Sequence, residues 1–261
     1  MKILKIFSVL LSYPTVALQK VVPELRQLIA ADIYLSSENK KALTPLLDKL
    51  GSEDIYTLEE DYVFLFDRSR SLSLNLFEHV HGESRDRGSA MVDLLHTYEQ
   101  AGFALHTAEL PDYLPVLLEF LSTQTPHEAK NILNDAGPIL VALAARLKER
   151  QTPYAAILKA LVVLAQASSN DEQAQQLLAE KIDNPNDLEA LDAVWEETAV
   201  TFGPESLDSC SGLLSGRSGG DLNRAEAMLR AQLASDEFPI HIQRMPSALT
   251  NKQRAKGGNN V

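Results

Sequence analysis

The chain has 261 residues, 45% of them hydrophobic, enough to bury a sizeable core in one large domain or two small ones. Its formal net charge is −12, and because the last 21 residues carry four bases and no acid, all 36 acidic residues lie in the first 240. A body that acidic repels nucleic-acid phosphates and suits a basic partner, although solubility alone would also account for the charge.

In chain order, the start imitates a secretory signal, since Lys2 and Lys5 precede an apolar run. That run is only Ile6 to Leu11 and no small-x-small cleavage site follows it. The helical spacing of Ile3, Phe7, Leu10 and Leu11 predicts a first core helix instead. Helices are then predicted over 15–31, 37–50 and 57–66, the last opened by a capping-box pattern of Thr57 with Glu60. Leu72-Ser-Leu-Asn-Leu76 alternates like a strand, yet Leu72, Leu76 and Val80 fall four apart, and a lone strand lacks partners for its backbone groups. The expectation there is helix.

Further helices are predicted over 86–101, 112–122, 126–149, 153–168, 186–200 and 222–234. Thr125 and Glu128 form a second capping box with Pro126 in the first turn, and Asp112 can cap the helix that follows it. Gly137-Pro138 should kink or split the longest helix, and Thr152-Pro153, Asn184-Pro185 and Asp221 mark other starts. No apolar stretch reaches the roughly 20 residues of a membrane span. The longest, Ala155 to Ala167, is broken by Lys159.

From Gly203 the character changes. Ser206 to Gly220 is rich in serine and glycine, and a tail from Phe238 contains Pro239, Pro246 and two adjacent glycines. Such a tail buries too little to offset its ordering entropy. The expected architecture is therefore all-α, a single helical domain over 1–202. A Gly/Ser-rich linker, a peripheral helix and a disordered basic tail would fill 203–261.

The chemistry-bearing residues favour recognition. One cysteine, Cys210, excludes a disulfide framework and a cysteine-built metal site, as a reducing compartment such as the cytoplasm would permit. His79 and His81 with Glu78 and Glu83 suggest a metal cluster, but histidines two apart splay across a helix and no third ligand is implied. Ser84 lies near His81 and Asp86 but has neither the second glycine of a nucleophile elbow nor a strand before it. No phosphate-cradling loop occurs, Ser215 to Gly220 included. Arg68, Arg70, Arg85 and Arg87 stand among Asp67, Glu78, Glu83 and Asp86, as either an ion-pair network fixing a loop or one wall of a peptide groove. Asp171 to Glu205 holds ten acids and one base, a solvated helix face or the counter-charge for a basic peptide.

Two strings are compositionally odd enough to act as signatures. One runs from Tyr62 to Gly88 and ends Phe77-Glu-His-Val-His-Gly-Glu-Ser-Arg-Asp-Arg-Gly88; the other is Glu109-Leu-Pro-Asp-Tyr-Leu-Pro-Val-Leu-Leu-Glu-Phe-Leu121. Together, over roughly residues 1–200, they resemble the molybdenum-cofactor assembly chaperones of respiratory nitrate reductase. These are the delta-subunit type within the twin-arginine redox-enzyme maturation chaperones.

The resemblance implies a cytoplasmic protein that is not an enzyme and holds no cofactor of its own. Its implied partner is the catalytic alpha subunit of nitrate reductase, bound above all by its N-terminal segment. The apo-subunit would be held ready for insertion of the molybdenum bis-guanine-dinucleotide cofactor, and its docking to the membrane subunit delayed. Contact with cofactor-biosynthesis proteins, and monomer or dimer, are left open; relatives can exchange helices between protomers.

The hinge at Leu110-Pro-Asp-Tyr-Leu-Pro115, just ahead of a helix, would lie at the client site. That marks Asp112, Tyr113 and Glu119, together with Tyr62, Phe66, Arg70, Phe77 and Glu78, and His81, Glu83, Arg85 and Arg87. The broader group often carries histidine after the aspartate, where this chain has Tyr113, so no role of that histidine transfers. The alternatives are a generic helical peptide-binding scaffold and an enzyme using His79, His81 and Ser84.

Overall fold

The computed structural model describes residues 1–81, 84, 86–106, 108–179 and 240–245. They belong to one of two compact units, Met1–Asp183 with Glu237–Val261, whereas the other, Asn184–Asp236, lies outside the described residues. The helices expected over 186–200 and 222–234, their caps, the serine-glycine linker and the boundary at 202/203 all lie there too.

The opening residues follow their periodicity. Helix α1 (Lys2–Leu11) buries Ile3, Leu4, Phe7, Leu10 and Leu11, and a helix apolar nearly all round belongs in the middle of a core. Its main neighbour is α8 (Leu114–Thr123), buried from Leu114 to Leu121. Ser8 Oγ donates to the Pro115 carbonyl at 2.7 Å, so one buried hydroxyl finds its partner across this central pair.

Around it, α2 (Val16–Ala31), capped by Thr15, packs on α4 (Thr44–Ser52). The helix expected over 37–50 is interrupted. α3 (Ser37–Ala42) stops and α4 restarts with Pro45 in its first turn, because proline has no N–H to continue the ladder.

α5 (Ile55–Tyr62) starts earlier than its capping-box pattern suggests. Asp54 caps it, accepting from the Tyr56 N–H at 3.0 Å, which leaves Thr57 inside the first turn and turns Leu58 and Tyr62 inward. The chain then widens into a π-helical turn, Val63–Asp67, closed by the Arg68 N–H on the Val63 carbonyl, and tightens into a 3-10 turn, Arg70–Leu72.

Residues Ser73 to Asn75 are not helical, contrary to the reading of 72–76; helix resumes only in α6 (Leu76–His81). The strand-like alternation was the right signal, because a partner exists far along the chain. Asn75 and Tyr113 form an isolated antiparallel bridge, with the Leu114 N–H on the Leu74 carbonyl at 2.8 Å and the Leu76 N–H on the Asp112 carbonyl at 3.1 Å.

After α7 (Asp86–Gln100), Gly102 takes φ 85°, a left-handed conformation that glycine adopts without strain, and the chain enters β1 (Phe103–Leu105). β1 pairs antiparallel with β2 (Ile242–Arg244), Phe103 opposite Arg244 and Leu105 opposite Ile242. This corrects the expectation of disorder beyond Phe238 for residues 240–245. His241 and Ile242 are buried, so burial and ladder hydrogen bonds together offset the entropy of ordering them.

The rest is helical. α9 (Pro126–Asp135) opens on the Thr125–Glu128 capping box, and α10 (Gly137–Glu149) follows after one residue, so the long helix is split where Gly137-Pro138 predicts. A Cβ on Gly137 would lie 2.8 Å from that of Ala167, just past the end of α11 (Ala155–Ala165), so glycine permits the close approach. α11 begins two residues beyond the expected Thr152-Pro153 start. α12 (Glu172–Ala179), from the acidic stretch, turns Ala174 and Leu177 onto α10. The described fold is all-α with one small two-stranded sheet. None of its helices is long and apolar enough to cross a membrane.

Candidate recognition site

The two signature strings meet at Asp112. This residue is fully buried, and it does not cap its own helix: Tyr113 is the N-cap of α8 and makes no side-chain cap. Instead Asp112 Oδ2 accepts the Phe77 N–H at 3.0 Å while its carbonyl accepts the Leu76 N–H, so one residue satisfies two first-turn amides of α6. A cap was expected, but on the wrong helix; sequence spacing points to local amides, and the fold delivers those of a distant element.

Asp112 Oδ1 has no hydrogen-bond partner among the described residues, nor has the buried Arg87 Nε. Burial pushes the Asp112 carboxyl above its ordinary value, partly opposed by the Phe77 amide and the Arg87 charge. Arg87 in turn donates to Glu78 Oε1 at 3.0 Å, tying α7 back to α6. Half-buried Phe77 meets the His81 ring edge-on at 5.7 Å. Phe77, Glu78, His81, Arg87 and Asp112 thus form one connected group.

A second group lies on α5 and the π-turn. The Tyr62 hydroxyl donates to the Leu11 carbonyl at 2.7 Å, so the Tyr113 hydroxyl, 2.8 Å away, is its donor. The Tyr62 ring packs against Phe66 at 4.9 Å and Tyr13 at 5.6 Å, and Phe66 against Tyr154 at 5.2 Å. Burial, then the Tyr113 hydroxyl, pushes the Tyr62 phenol well up, so it stays neutral.

Glu119 stands apart from both groups. Its carboxylate receives Lys5 Nζ at 2.7 Å and the His241 N–H at 2.9 Å, joining α1, α8 and the segment leading into β2. Tyr62, Phe66, Asp112 and Glu119 are therefore interior side chains, while Tyr113 is half-buried and Arg70 exposed. Glu83 and Arg85 lie outside the described residues.

The groups considered for catalysis hold other partners. His79 Nε2 lies 2.8 Å from the Ser73 carbonyl while His81 lies on Phe77. Ser84 Oγ accepts the Asp86 N–H at 3.0 Å. Among the described residues no cluster of histidine, cysteine or carboxylates is arranged to hold a metal ion.

Beside the tyrosine group opens a concavity of about 530 Å³ lined by Tyr13, Tyr56, Glu59, Asp61 and Phe64, with Arg68 also on its wall. Rings alternate there with carboxylates, a composition that suits a cationic side chain flanked by apolar ones. Burial, then Glu59, raises the Tyr13 phenol. The signal missed in the sequence was the pair of aromatics that flank this acidic stretch, Tyr56 in the first turn of α5 and Phe64 in the π-turn. Arg146 was missed as well: it is 2% exposed and donates to the Ser71 carbonyl at 2.9 Å and to the Leu177 carbonyl, pinning the 3-10 turn and α12 to α10. An arginine on the apolar face of Leu143 and Leu147 was the clue.

Residues 33–160 match the model of a family described as nitrate reductase delta subunit. The chain is 45% identical over 201 residues to the nitrate reductase molybdenum cofactor assembly chaperone NarJ of Escherichia coli (strain K12), covering 76% of this chain and 84% of that protein. It is 42% identical to the probable assembly chaperone NarW of the same strain, over 80% of this chain and 87% of the other. With the probable NarJ of Bacillus subtilis (strain 168) it shares 31% identity, over 59% and 83% respectively. The chain belongs to the nitrate reductase delta-subunit family of molybdenum cofactor assembly chaperones, which are not catalysts.

Proposed function

We propose that this protein is the dedicated chaperone of a nitrate reductase catalytic subunit. It binds the apo-subunit by its N-terminal segment in the cytoplasm, keeps it open for insertion of the molybdenum cofactor and delays its docking to the membrane. The observation that carries this reading is the 45% identity to an assembly chaperone across 84% of that protein. The aromatic and acidic concavity supports it, since an amphipathic helix with basic residues finds apolar walls and counter-charges there.

Phe77, Glu78, His81, Arg87 and Tyr113, with Arg70, Glu83 and Arg85, then supply the contact face. Tyr62, Phe66, Asp112 and Glu119 support it from within. Release follows from preferring the immature client to the mature one.

Calorimetry with the client's N-terminal peptide and a scrambled control tests the reading. Affinity between micromolar and nanomolar, about −8 to −12 kcal/mol, is expected for the native peptide alone. Equal heats for both would remove the client from the proposal. Raising salt from roughly 0.05 to 0.5 M should weaken binding without abolishing it, as screening shortens the reach of the acids.

A further inference from the structure

Among the described residues, the hydrogen-bond and ring partners of 240–245 all lie far away in sequence. The His241 N–H enters Glu119 Oε2, the His241 Nε2 lies 3.2 Å from Ser12 Oγ, and its ring meets Tyr113 edge-on at 6.0 Å. Ile242 is 5% exposed. The backbone completes the edge of β1, with the His106 N–H on the His241 carbonyl at 2.9 Å and the Met245 N–H on the Gly102 carbonyl at 2.7 Å.

A strand edge, a carboxylate that accepts a main-chain amide, an apolar slot and an aromatic wall are the parts of a site for an extended peptide. The segment filling it opens the tail that carries four bases and no acid on an otherwise acidic chain. A two-stranded ribbon this short is held weakly, so its occupant can be exchanged.

We infer that residues 240–245 are a self-bound competitor: the β1 edge, with its pocket of Ser12, Tyr113 and Glu119, is an extended-peptide site that the chain fills until an extended stretch of the client's basic N-terminal segment, next to the stretch that lies helical in the concavity, displaces the strap. This rests on the client reading proposed above. The strap lowers the fraction of chaperone open to a client, and so its apparent affinity, until a segment of higher affinity arrives.

Phe103 and Arg244 allow a direct test. They face each other between the two ladder bonds named above, at a non-hydrogen-bonded position where side chains come close enough for a disulfide. The full chain carrying Phe103→Cys and Arg244→Cys, with Cys210→Ser, is titrated with the client's N-terminal peptide while oxidised and again after reduction. Locking the strap is expected to weaken binding about tenfold, reversibly, whereas Ile242→Asp, which dislodges it, tightens binding about threefold. The Ile242→Asp protein should also take up a synthetic peptide of residues 238–247 that the wild type refuses. Equal affinity in the oxidised and reduced forms, both binding the client, overturns the competition alone. A reduced form that binds no client peptide overturns the client reading and the competition with it.

Discussion

Two carboxylates of one motif, Asp112 just ahead of α8 and Glu119 in its middle, are both buried, and the protein treats them in opposite ways. Asp112 receives one main-chain amide on its carboxylate and, among the described residues, no direct cation, and burial raises its pKa. Glu119 receives a lysine and a main-chain amide from two elements distant in sequence. The first is a cap in trans, giving α6 its place. The second is a joint, and its loss would loosen three elements at once. An acidic residue in this motif therefore predicts neither solvent exposure nor a common role.

The strongest way to break this contrast is Glu119→Arg, which sets a cation beside Lys5 and deprives the His241 amide of its acceptor. Lys5 is more than a third exposed, so water screens the loss of its partner, but the buried His241 amide left unpaired costs about 1–3 kcal/mol and a cation is set into the interior, so the largest drop in the chemical-denaturation midpoint is expected here. A variant that unfolds with the wild type would make Glu119 a surface acid after all.

Acid should act next, on the strap. The His241 ring is buried among Ser12, Tyr113 and Glu119, and burial, then Lys5, pushes its pKa down to about 4. The unfolded chain thus binds the proton first. Strap stability is fully present above the ordinary value of about 6.5 and is lost as pH falls from there through about 4. Protection of the His106 amide against hydrogen exchange, taken relative to the intrinsic rate at each pH, should fall over that window in the wild type and not in His241→Gln. An unchanged profile in both would remove the ring from the mechanism.

Asp112 sharpens the comparison from its other side. Asp112→Ala leaves the Phe77 amide without its acceptor, a loss of about 1–2 kcal/mol. Asp112→Asn keeps an acceptor and removes a buried charge. Because the folded pKa is raised, ionised Asp112 opposes folding, an effect absent below the unfolded value and growing as pH rises through the folded one. Melting of Asp112→Asn near neutral pH should therefore equal or exceed the wild type, and a melting point as low as that of Asp112→Ala would contradict this account.

The smallest effect belongs to Tyr113→Phe. Tyr62 keeps its bond to the Leu11 carbonyl, so a loss below about 1 kcal/mol is expected by denaturant titration.

Much of the helical body was legible. The Thr125–Glu128 box, the break at Gly137-Pro138 and the core face of α1 all rest on residues within a turn or two of one another. Where local signals compete, the outcome was less legible: Asp54 displaces Thr57 as the cap of α5, and Pro45 divides a helix that periodicity alone would continue. The candidate site was half legible, since its residues were marked but not their depth. Tyr62 and Phe66 read like groove aromatics yet face the core, while Tyr13 and Tyr56 open onto the concavity.

By itself the sequence determined the helical class and most helix starts, because caps, prolines and apolar periodicity act through neighbouring amides and faces. It also carried the two strings that mark the family. Only the tertiary structure decided that Asp112 caps α6, that Ser73 to Asn75 run extended against Tyr113, and that His241 returns to Glu119. Each of these joins a group to a partner many residues away, and a backbone amide or carboxylate records nothing in its local sequence about which distant element the packed core will bring beside it.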